Sequence, residues 1–152
     1  MVPTYFWGLP SIVCEFLEKL KLRMPASHHP FVYHVATFGT TTGQTGHIVN
    51  ELLKKRGLSL DGRFSVQMPD TWTPVFDLTD KEKIKKINLD AEKQIAEVTG
   101  NIKRELAVDF SCRRVPMIAV KLYYPMYEKA RETKHFIVED SCIGCRLCAK
   151  KC

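Results

Sequence analysis

The sequence predicts an α/β fold, in which parallel strands alternate with helices, followed by a short cysteine-rich segment. Two observations predict this arrangement: the order of strand and helix patterns, and the crowding of cysteines at the end of the sequence. A β-branched and aromatic run over residues 31–37 is followed by an amphipathic helix pattern and then by a second strand pattern over 63–68. Strand, helix and strand in this order form a βαβ unit, which places both strands parallel in one sheet. Four cysteines crowd into the last eleven residues and set that segment apart.

The first helix is predicted over Leu9–Leu22. Pro10 suits a first helical turn, and four apolar residues recur on one face: Val13, Phe16, Leu17 and Leu20. The stretch Pro25–Pro30 interrupts the pattern. Phe31–Thr37 is then typical of a strand, and it is apolar enough to be buried on both faces.

A loop rich in glycine and threonine, Phe38–Gly46, follows this strand. The next helix is predicted from four apolar residues that share one face: Ile48, Val49, Leu52 and Leu53. Gly57 is its stop signal. The second strand is predicted over Arg63–Met68, and Pro69 ends it.

A long third helix is predicted to begin near Thr79, because Thr79 and Glu82 have the spacing of a capping box. Its apolar residues step by three or four: Ile84, Ile87, Ala91, Ile95, Val98 and Ile102. Gly100 is a weak point in this pattern. We expect irregular, partly helical packing over Val108–Lys134, and a short strand over His135–Val138.

Composition and charge narrow the classes of partner. The 152 residues are 45% hydrophobic and 26% charged, which is typical of a globular protein. No apolar stretch has the length of a membrane span, and no secretory signal is visible, so we expect a cytoplasmic protein without a membrane partner. The net charge is +6, but the basic residues lie among acids, as in Asp80–Lys86. We therefore predict no nucleic-acid partner.

The cysteine-rich segment carries the most specific motif. Cys142, Cys145, Cys148 and Cys152 have the spacing CxxCxxCxxxC. Ligands three residues apart on a turning loop reach successive corners of a cubic iron–sulfur cluster, and Gly144 allows the positive φ that a tight turn requires. The sequence predicts that these four cysteines bind a 4Fe-4S cluster.

Two alternatives for this motif are a zinc knuckle and a group of free thiols. Structural zinc usually takes two ligand pairs separated by a longer loop, which this spacing does not resemble. Of the two upstream cysteines, Cys14 is predicted to be a packed small hydrophobic residue. Cys112, beside two arginines, is a better candidate for an additional ligand, although a structural role is favoured for it too.

The cysteine motif resembles the first half of a bacterial-type two-cluster ferredoxin. In that family the first three cysteines bind one cluster and the fourth binds the other. The resemblance implies that Cys142, Cys145 and Cys148 belong to one cluster and Cys152 to a second. The family pattern continues with a proline and a second cysteine set. We therefore expect that the fourth ligand of the first cluster and three ligands of the second are missing here.

The preceding residues resemble the C-terminal part of a flavodoxin-like domain fused to such a ferredoxin. The resemblance is carried by the segment Pro3–Pro10, the strand ending in Thr37, the loop after it and Phe64–Pro69. It implies FMN beyond the carboxyl ends of the strands. The residues on the two flavin-facing loops would be Tyr5, Trp7, Thr37, Gly39, Thr40 and Gly43. The family's first strand, phosphate loop and first helix have no counterpart before Met1.

A competing interpretation concerns the loop alone. Thr40–Thr45 itself resembles a flavodoxin phosphate loop, because hydroxyls and bare amides can surround a phosphate. The order of segments disfavours it, since Tyr5–Pro10 would then have to follow the loop.

These expectations divide the chain into three parts. Residues 1–106 would be the C-terminal part of a flavodoxin-like domain with a partial parallel sheet. Residues 107–134 would connect it to 135–152, the start of a ferredoxin-like α+β iron–sulfur domain. With its central strand missing, sheet edges would be unpaired and apolar faces open, so the chain alone is expected to fold poorly.

The expected function is electron transfer through a 4Fe-4S cluster, coupled to a flavin in the complete protein, which would hold two clusters. The partner would be a redox protein or a low-potential electron donor or acceptor. A flavin-dependent reductase with a ferredoxin tail and a non-redox zinc-binding interaction module remain as alternatives. No pair of residues is typical of general acid–base chemistry, so no catalytic residue is predicted.

Overall fold

Three parallel strands form one sheet in the order β1-β2-β3, which confirms the predicted α/β class. The computed structural model describes residues 1–21, 30–72, 75–135 and 137–151. Strand β1 is Val2–Pro3, β2 is Tyr33–Phe38 and β3 is Gly62–Gln67. Each pair of neighbouring strands is hydrogen-bonded in parallel, with Val2 opposite Ala36.

Six helices lie in the described part of the chain. In chain order, α1 to α6 are Ser11–Lys19, Thr45–Lys54, Lys81–Lys103, Met117–Tyr123, Pro125–Ala130 and Leu147–Lys151. A single 3-10 turn, Thr133–His135, follows α5. Among the described residues, no helix combines the length and the apolar character that crossing a bilayer requires.

Two hydrophobic clusters hold the sheet and helices together. One joins α2 to the loops around the sheet: Leu9, Val49, Leu52, Leu53, Leu58 and Leu60. The other lies between the sheet and α3: Val35, Phe64, Val66, Ala91 and Val98. The alternate residues of β2, His34 and Ala36, are buried as well, so β2 is covered on both faces as its composition predicts.

The predicted helix over Leu9–Leu22 is shorter at both ends than expected. Pro10 is the residue just before the first helical residue of α1, and Leu20, after Lys19, has an extended backbone. Val13 and Leu17 pack against the first cluster, but Phe16 is 61% exposed, so its predicted inward position is wrong. Leu22 and the break at 25–29 lie outside the described residues.

The start of α3 is one residue later than predicted and has a different cap. The side chain of Asp80 caps the helix, with Oδ1 accepting the Lys83 amide hydrogen bond at 3.0 Å. The Thr79 hydroxyl instead donates to Asp77 at 2.9 Å. The helix continues through Gly100 to Lys103, and three of its own residues are buried: Ala91, Val98 and Asn101.

The segment after α3 is partly helical, as expected, with Pro116 just before α4 and Pro125 at the start of α5. The strand predicted over His135–Val138 is wrong for its described residues. His135 ends the 3-10 turn, and Ile137 and Val138 are exposed without a strand partner. Phe136 lies outside the described residues.

Candidate functional site

Turn A, the segment Tyr5–Gly8, directly follows β1 at the carboxyl edge of the sheet. The amide of Tyr5 donates to the Gly8 carbonyl at 3.0 Å, and the Gly8 amide donates back to Tyr5 at 2.8 Å. The two central residues, Phe6 and Trp7, have φ of 46° and 63°. This resembles a type I′ hairpin turn, which usually contains asparagine and glycine. Each aromatic residue there costs about 1–2 kcal/mol of backbone strain, so the surrounding contacts must stabilise the turn.

Loop B, the segment Gly39–Gln44, follows β2 and contacts turn A through the backbone. The Gln44 amide donates to the Trp7 carbonyl at 2.9 Å. Gly43 has φ of 55°, and a Cβ added to it would lie 2.0 Å from the Trp7 carbonyl oxygen. Gly43 is therefore needed for the close approach of the two loops.

The threonine hydroxyls of loop B and of the start of α2 have partners within the chain. Thr42 Oγ1 donates to the Cys112 carbonyl at 2.6 Å, and Thr45 Oγ1 donates to the Thr42 carbonyl at 3.1 Å. The Thr41 hydroxyl donates to the Arg113 carbonyl. Of these neighbouring threonines, only Thr40 is exposed. This arrangement disfavours the interpretation of Thr40–Thr45 as a phosphate loop.

The segment after α3 covers the outer edge of β3. The Arg63 amide donates to the Val108 carbonyl at 2.8 Å, and the Phe110 amide donates to the Arg63 carbonyl at 2.7 Å. These bonds form a parallel bridge between Arg63 and Asp109. An exposed strand edge is prone to pair with other chains, so this segment protects an edge that we expected to be open.

An aromatic cluster packs α4 and α5 against turn A. Its members are Tyr5, Phe6, Trp7, Trp72, Tyr123 and Tyr127. The closest pair is Trp7 and Tyr123, with ring centroids 4.3 Å apart. Aromatic pairs at this separation contribute about 0.5–1.5 kcal/mol each beyond their buried area. Tyr5 and Trp7 were predicted as site residues, whereas the rings from α4 and α5 were not.

Tyr124 anchors the same helices to the end of turn A. Its hydroxyl donates to the Leu9 carbonyl, and its ring lies where a Cβ on Gly8 would be, at 2.6 Å. Burial raises the pKa of Tyr124 to about 12. The hydroxyl therefore stays protonated and remains a hydrogen-bond donor at neutral pH.

The residues predicted to face a flavin lie close together, but most of them have other contacts. Gly39 lies against the side chain of Asp70, and its carbonyl accepts a hydrogen bond from Gln67 at 3.0 Å. Thr37 is half-buried within β2, and Trp7 packs on Tyr123. Together with the engaged threonine hydroxyls, this arrangement does not fit an FMN phosphate and ring on the described residues.

The cysteine tail, residues 137–151, is exposed throughout. Cys142, Cys145 and Cys148 are free thiols, and Cys148 lies on α6. Gly144 has φ of 66°, as the predicted turn requires, and the Cys142 amide donates to the Glu139 carbonyl at 2.9 Å. Cys152 lies outside the described residues. Within the described part of the chain, no three cysteine, histidine or carboxylate side chains are grouped closely enough to hold a metal ion.

The tail nevertheless has the donor chemistry that a 4Fe-4S cluster needs. Three accessible thiols at successive i+3 positions on a glycine-containing turn supply three of the four thiolates that such a cluster takes. Metal sites of this kind commonly form only when the metal binds, because the ligand segment is unstructured without it. The tail therefore fits an iron–sulfur cluster in residue type and spacing.

The two other cysteines lie in the α/β part of the chain. Cys14 packs beside the first hydrophobic cluster, as predicted, and burial raises the pKa of its thiol. Cys112 is exposed, with its Sγ 3.3 Å from the Ser65 hydroxyl on β3. The Cys112 carbonyl also accepts a hydrogen bond from the Thr42 hydroxyl. These contacts attach Cys112 to the sheet.

A small polar cavity of about 160 Å³ lies between the start of α2 and the segment that covers β3. Asp109 contacts Arg114 at 3.2 Å and Arg63 at 3.5 Å. Burial would raise the pKa of Asp109, but hydrogen bonds from Ser111 and the charges of both arginines outweigh it and lower that pKa. The carboxylate thus keeps its charge and ties the covering segment to β3.

Comparisons with protein-family models, with curated proteins and with solved structures found no match. The residues themselves are therefore the basis for assigning a function. Among them, the cysteine spacing is the most specific feature.

Proposed function

We propose that the chain carries electrons through a 4Fe-4S cluster whose ligands are drawn from Cys142, Cys145, Cys148 and Cys152. The observation that carries this proposal is their spacing, CxxCxxCxxxC, within a segment of eleven residues. The exposure of the three described thiols supports it, because iron and sulfide can reach them without unfolding the sheet. The positive φ of Gly144 supports it too, since it turns the backbone between the first two ligands.

The residues of the tail have distinct roles in this proposal. A bound cluster supplies one-electron oxidation and reduction. The thiolates hold it, and their negative charge is partly offset by the exposed side chains of Arg146, Lys150 and Lys151. Backbone amides between the cysteines can donate to the cluster's sulfur atoms and adjust its potential.

The proposed partner is a redox protein or a low-potential donor or acceptor that approaches the exposed tail. By the resemblance to flavodoxin–ferredoxin fusions, a flavin would exchange electrons with the cluster. Turn A and loop B lie at the carboxyl ends of parallel strands, where flavodoxin-like sheets bind their ligands. Since their present contacts do not fit FMN, we assign no step to flavin.

Anaerobic reconstitution of the full chain with iron and sulfide tests the proposal. We expect bound iron and acid-labile sulfide, a visible absorbance that dithionite bleaches, and recovery of that absorbance on reoxidation. Cys145→Ser should abolish sulfide binding, because a serine oxygen is a poor ligand for this cluster. Cys14→Ser is the matched control and should bind normally, since Cys14 lies in α1.

Two outcomes would contradict the proposal. One is a colourless protein that retains neither iron nor sulfide after reconstitution. The other is stoichiometric zinc bound by Cys142, Cys145 and Cys148 without labile sulfide, which would favour the zinc-binding module instead.

A further inference from the structure

The small polar cavity of about 160 Å³ lies where three parts of the chain meet. These parts are the first turn of α2, Arg63 of β3, and the covering segment, residues 108–114, which contributes Ser111 and Arg114. Parallel bridges join Gly43 to Arg114 and Arg63 to Asp109. Backbone contacts therefore hold the covering segment in place on both sides of the cavity.

The first turn of α2 contributes backbone amides to this cavity. The amides of Gly46 and His47 have no hydrogen-bond acceptor among the described residues, and no side chain caps the helix. Gly46 is buried, and a buried amide without an acceptor costs free energy unless water or a ligand accepts its hydrogen bond. The positive end of the helix dipole lies at the same turn. An anion in the cavity can accept from these amides.

Two guanidinium groups line the same cavity, and both have unused donors. Asp109 Oδ2 accepts from Arg114 Nη1 at 3.2 Å and from Arg63 Nη1 at 3.5 Å. A guanidinium has five N–H donors, and within the described part of the chain neither arginine has another hydrogen-bond partner. Single long bonds to one oxygen are weaker than the bidentate pairing that arginine makes with carboxylate or phosphate. The two arginines can therefore bind a second anion beside Asp109.

The charges around the cavity do not cancel. Arg63 and Arg114 are only partly offset by the single carboxylate of Asp109, so one positive charge remains among these three lining residues. The next carboxylate along α2 belongs to Glu51, and it is paired with Lys54 at 2.8 Å. The cavity therefore favours a ligand with negative charge.

The size of the cavity and the arrangement of its donors limit the ligand further. Pockets for drug-sized ligands measure about 300–1,000 Å³, so a cavity of about 160 Å³ is too small for FMN or another nucleotide. Donors come from α2, from β3 and from the covering segment. A tetrahedral oxyanion has an oxygen for each of these directions, whereas a carboxylate has only two. These features together favour a phosphate-type anion.

We propose that this cavity binds one tetrahedral oxyanion of the phosphate class, as inorganic phosphate or as a phosphomonoester group. The amides of Gly46 and His47 and the guanidinium groups of Arg63 and Arg114 hold it. The threonine hydroxyls of loop B have partners within the chain and take no part. The site does not involve the cysteine tail, so it goes beyond the proposed function and is tested separately from it.

Isothermal titration calorimetry of the full chain with inorganic phosphate, at constant ionic strength, tests the site. We expect saturable binding with one phosphate per chain. Arg114→Gln should weaken it about tenfold, because a charge-assisted hydrogen bond is lost. Arg113→Gln is the matched control: it removes the same charge from the neighbouring residue, which packs over Phe38 instead, and should weaken binding by less than about twofold.

Two further variants separate the shape of the cavity from its charge. Gly46→Ala places a methyl group 3.1 Å from Arg63 Cδ and 3.7 Å from Ser111 Oγ, so it should weaken phosphate binding several-fold without removing a charge. Gly100→Ala, whose methyl group meets nothing within 4 Å on α3, is the control and should bind normally. Alanine favours a helix over glycine, and circular dichroism checks that both variants fold.

Asp109→Asn gives a change of the opposite sign. It removes the carboxylate that competes for both arginines, so phosphate should bind several-fold more tightly. Methyl phosphate, titrated in parallel, distinguishes the two sources of the anion. Tighter binding of methyl phosphate would support a phosphomonoester as the ligand, and tighter binding of inorganic phosphate would support the free ion.

Four results would overturn the proposal. The first is no saturable phosphate binding by the folded chain. The second is equal weakening in Arg113→Gln and Arg114→Gln, which would show only a diffuse attraction to positive charge. The third is unchanged binding in Gly46→Ala, which would place the anion elsewhere. The fourth is acetate binding as tightly as phosphate, which would show a carboxylate site instead.

Discussion

The α/β sheet and the cysteine tail differ in what determines their conformation. The sheet is covered on both faces, and Phe64 and Val66 of β3 are completely buried. In the tail, every described residue from Ile137 to Lys151 is exposed. The sheet is therefore stabilised by burial of its own side chains, whereas the described tail residues bury none, and in the proposed function they take their conformation from the bound cluster. We therefore expect substitutions in the sheet to change the stability of the protein and substitutions in the tail to change cluster binding.

Among the single substitutions, we expect the greatest loss of stability at Phe64, a fully buried member of the second hydrophobic cluster. Phe64→Ala should destabilise the protein by about 3–5 kcal/mol, because it removes a buried ring and leaves a cavity. Urea denaturation followed by circular dichroism measures this change. Leu147→Ala in the tail is the control and should change the free energy of unfolding by less than about 0.5 kcal/mol. Equal effects of the two substitutions would contradict the comparison.

The pH dependence of stability should come largely from His34 on β2. Burial, with the nearby positive charges of the N-terminal amino group and Arg63, lowers the pKa of His34 to about 4. In the unfolded chain the pKa is 6.5, so between these values the unfolded state binds a proton that the folded state does not. Stability should therefore be complete above pH 6.5 and fall by about 3 kcal/mol as the pH is lowered to 4.

Urea denaturation at a series of pH values measures the contribution of His34. His34→Gln should flatten the loss of stability between pH 6.5 and 4, because glutamine does not titrate. His47→Gln is the control, since His47 is exposed at the start of α2, and it should keep the slope of the unsubstituted protein. A slope that survives in His34→Gln and disappears in His47→Gln would refute this assignment.

Three glycines with positive φ allow the same substitution to be compared in different surroundings. Gly43→Ala should lower the free energy of unfolding by about 1–3 kcal/mol, because it adds backbone strain and brings a methyl group against the Trp7 carbonyl. Gly57→Ala meets nothing within 4 Å and should cost only the strain, about 1 kcal/mol. Thermal unfolding followed by circular dichroism measures both.

Gly144→Ala completes this series in the tail. Its φ of 66° is in the same left-handed region as the 55° of Gly43, and an added Cβ would meet nothing within 4 Å. We expect no change in the melting temperature of the apo protein, because the tail is exposed and does not contribute to its cooperative unfolding. Iron binding should weaken, since the turn between Cys142 and Cys145 becomes strained. A lower melting temperature without any change in iron binding would reverse this expectation.

Strands β2 and β3 and helices α1, α2 and α3 could be predicted because their signals are local. Both long strands were located to within two residues from runs of β-branched and aromatic residues. The contacts of the candidate site could not be predicted in the same way. Thr42 and the carbonyl of Cys112 are 70 positions apart, and Ser11 and the Tyr127 hydroxyl are 116 apart. Such pairs depend on the whole fold, and no periodicity in the sequence reports them.

In the cysteine tail, the candidate site could be predicted from the sequence but the positions of its side chains could not. The spacing of its thiols predicts a ligand chemistry directly, because the motif lies within eleven residues. The geometry of those thiols does not follow from the spacing, since exposed side chains have no packing partners to fix them. Short-range sequence patterns therefore predict secondary-structure elements in the sheet. In the tail they predict the type of metal ligand but not its geometry.

The smallest predicted effect distinguishes two possible caps for α3. Asp80 Oδ1 accepts the Lys83 amide, whereas the Thr79 hydroxyl donates to Asp77. Asp80→Ala should therefore lower stability by about 1 kcal/mol, because it leaves an amide of the first helical turn without its partner. Thr79→Ala should have a smaller effect, since its hydroxyl bond lies outside the helix. Urea denaturation of both variants measures the difference. A larger loss of unfolding free energy in Thr79→Ala would instead support the predicted capping box, in which Thr79 caps the helix. Because both residues are exposed in the sheet-bearing part of the chain, neither substitution should alter iron binding by the tail.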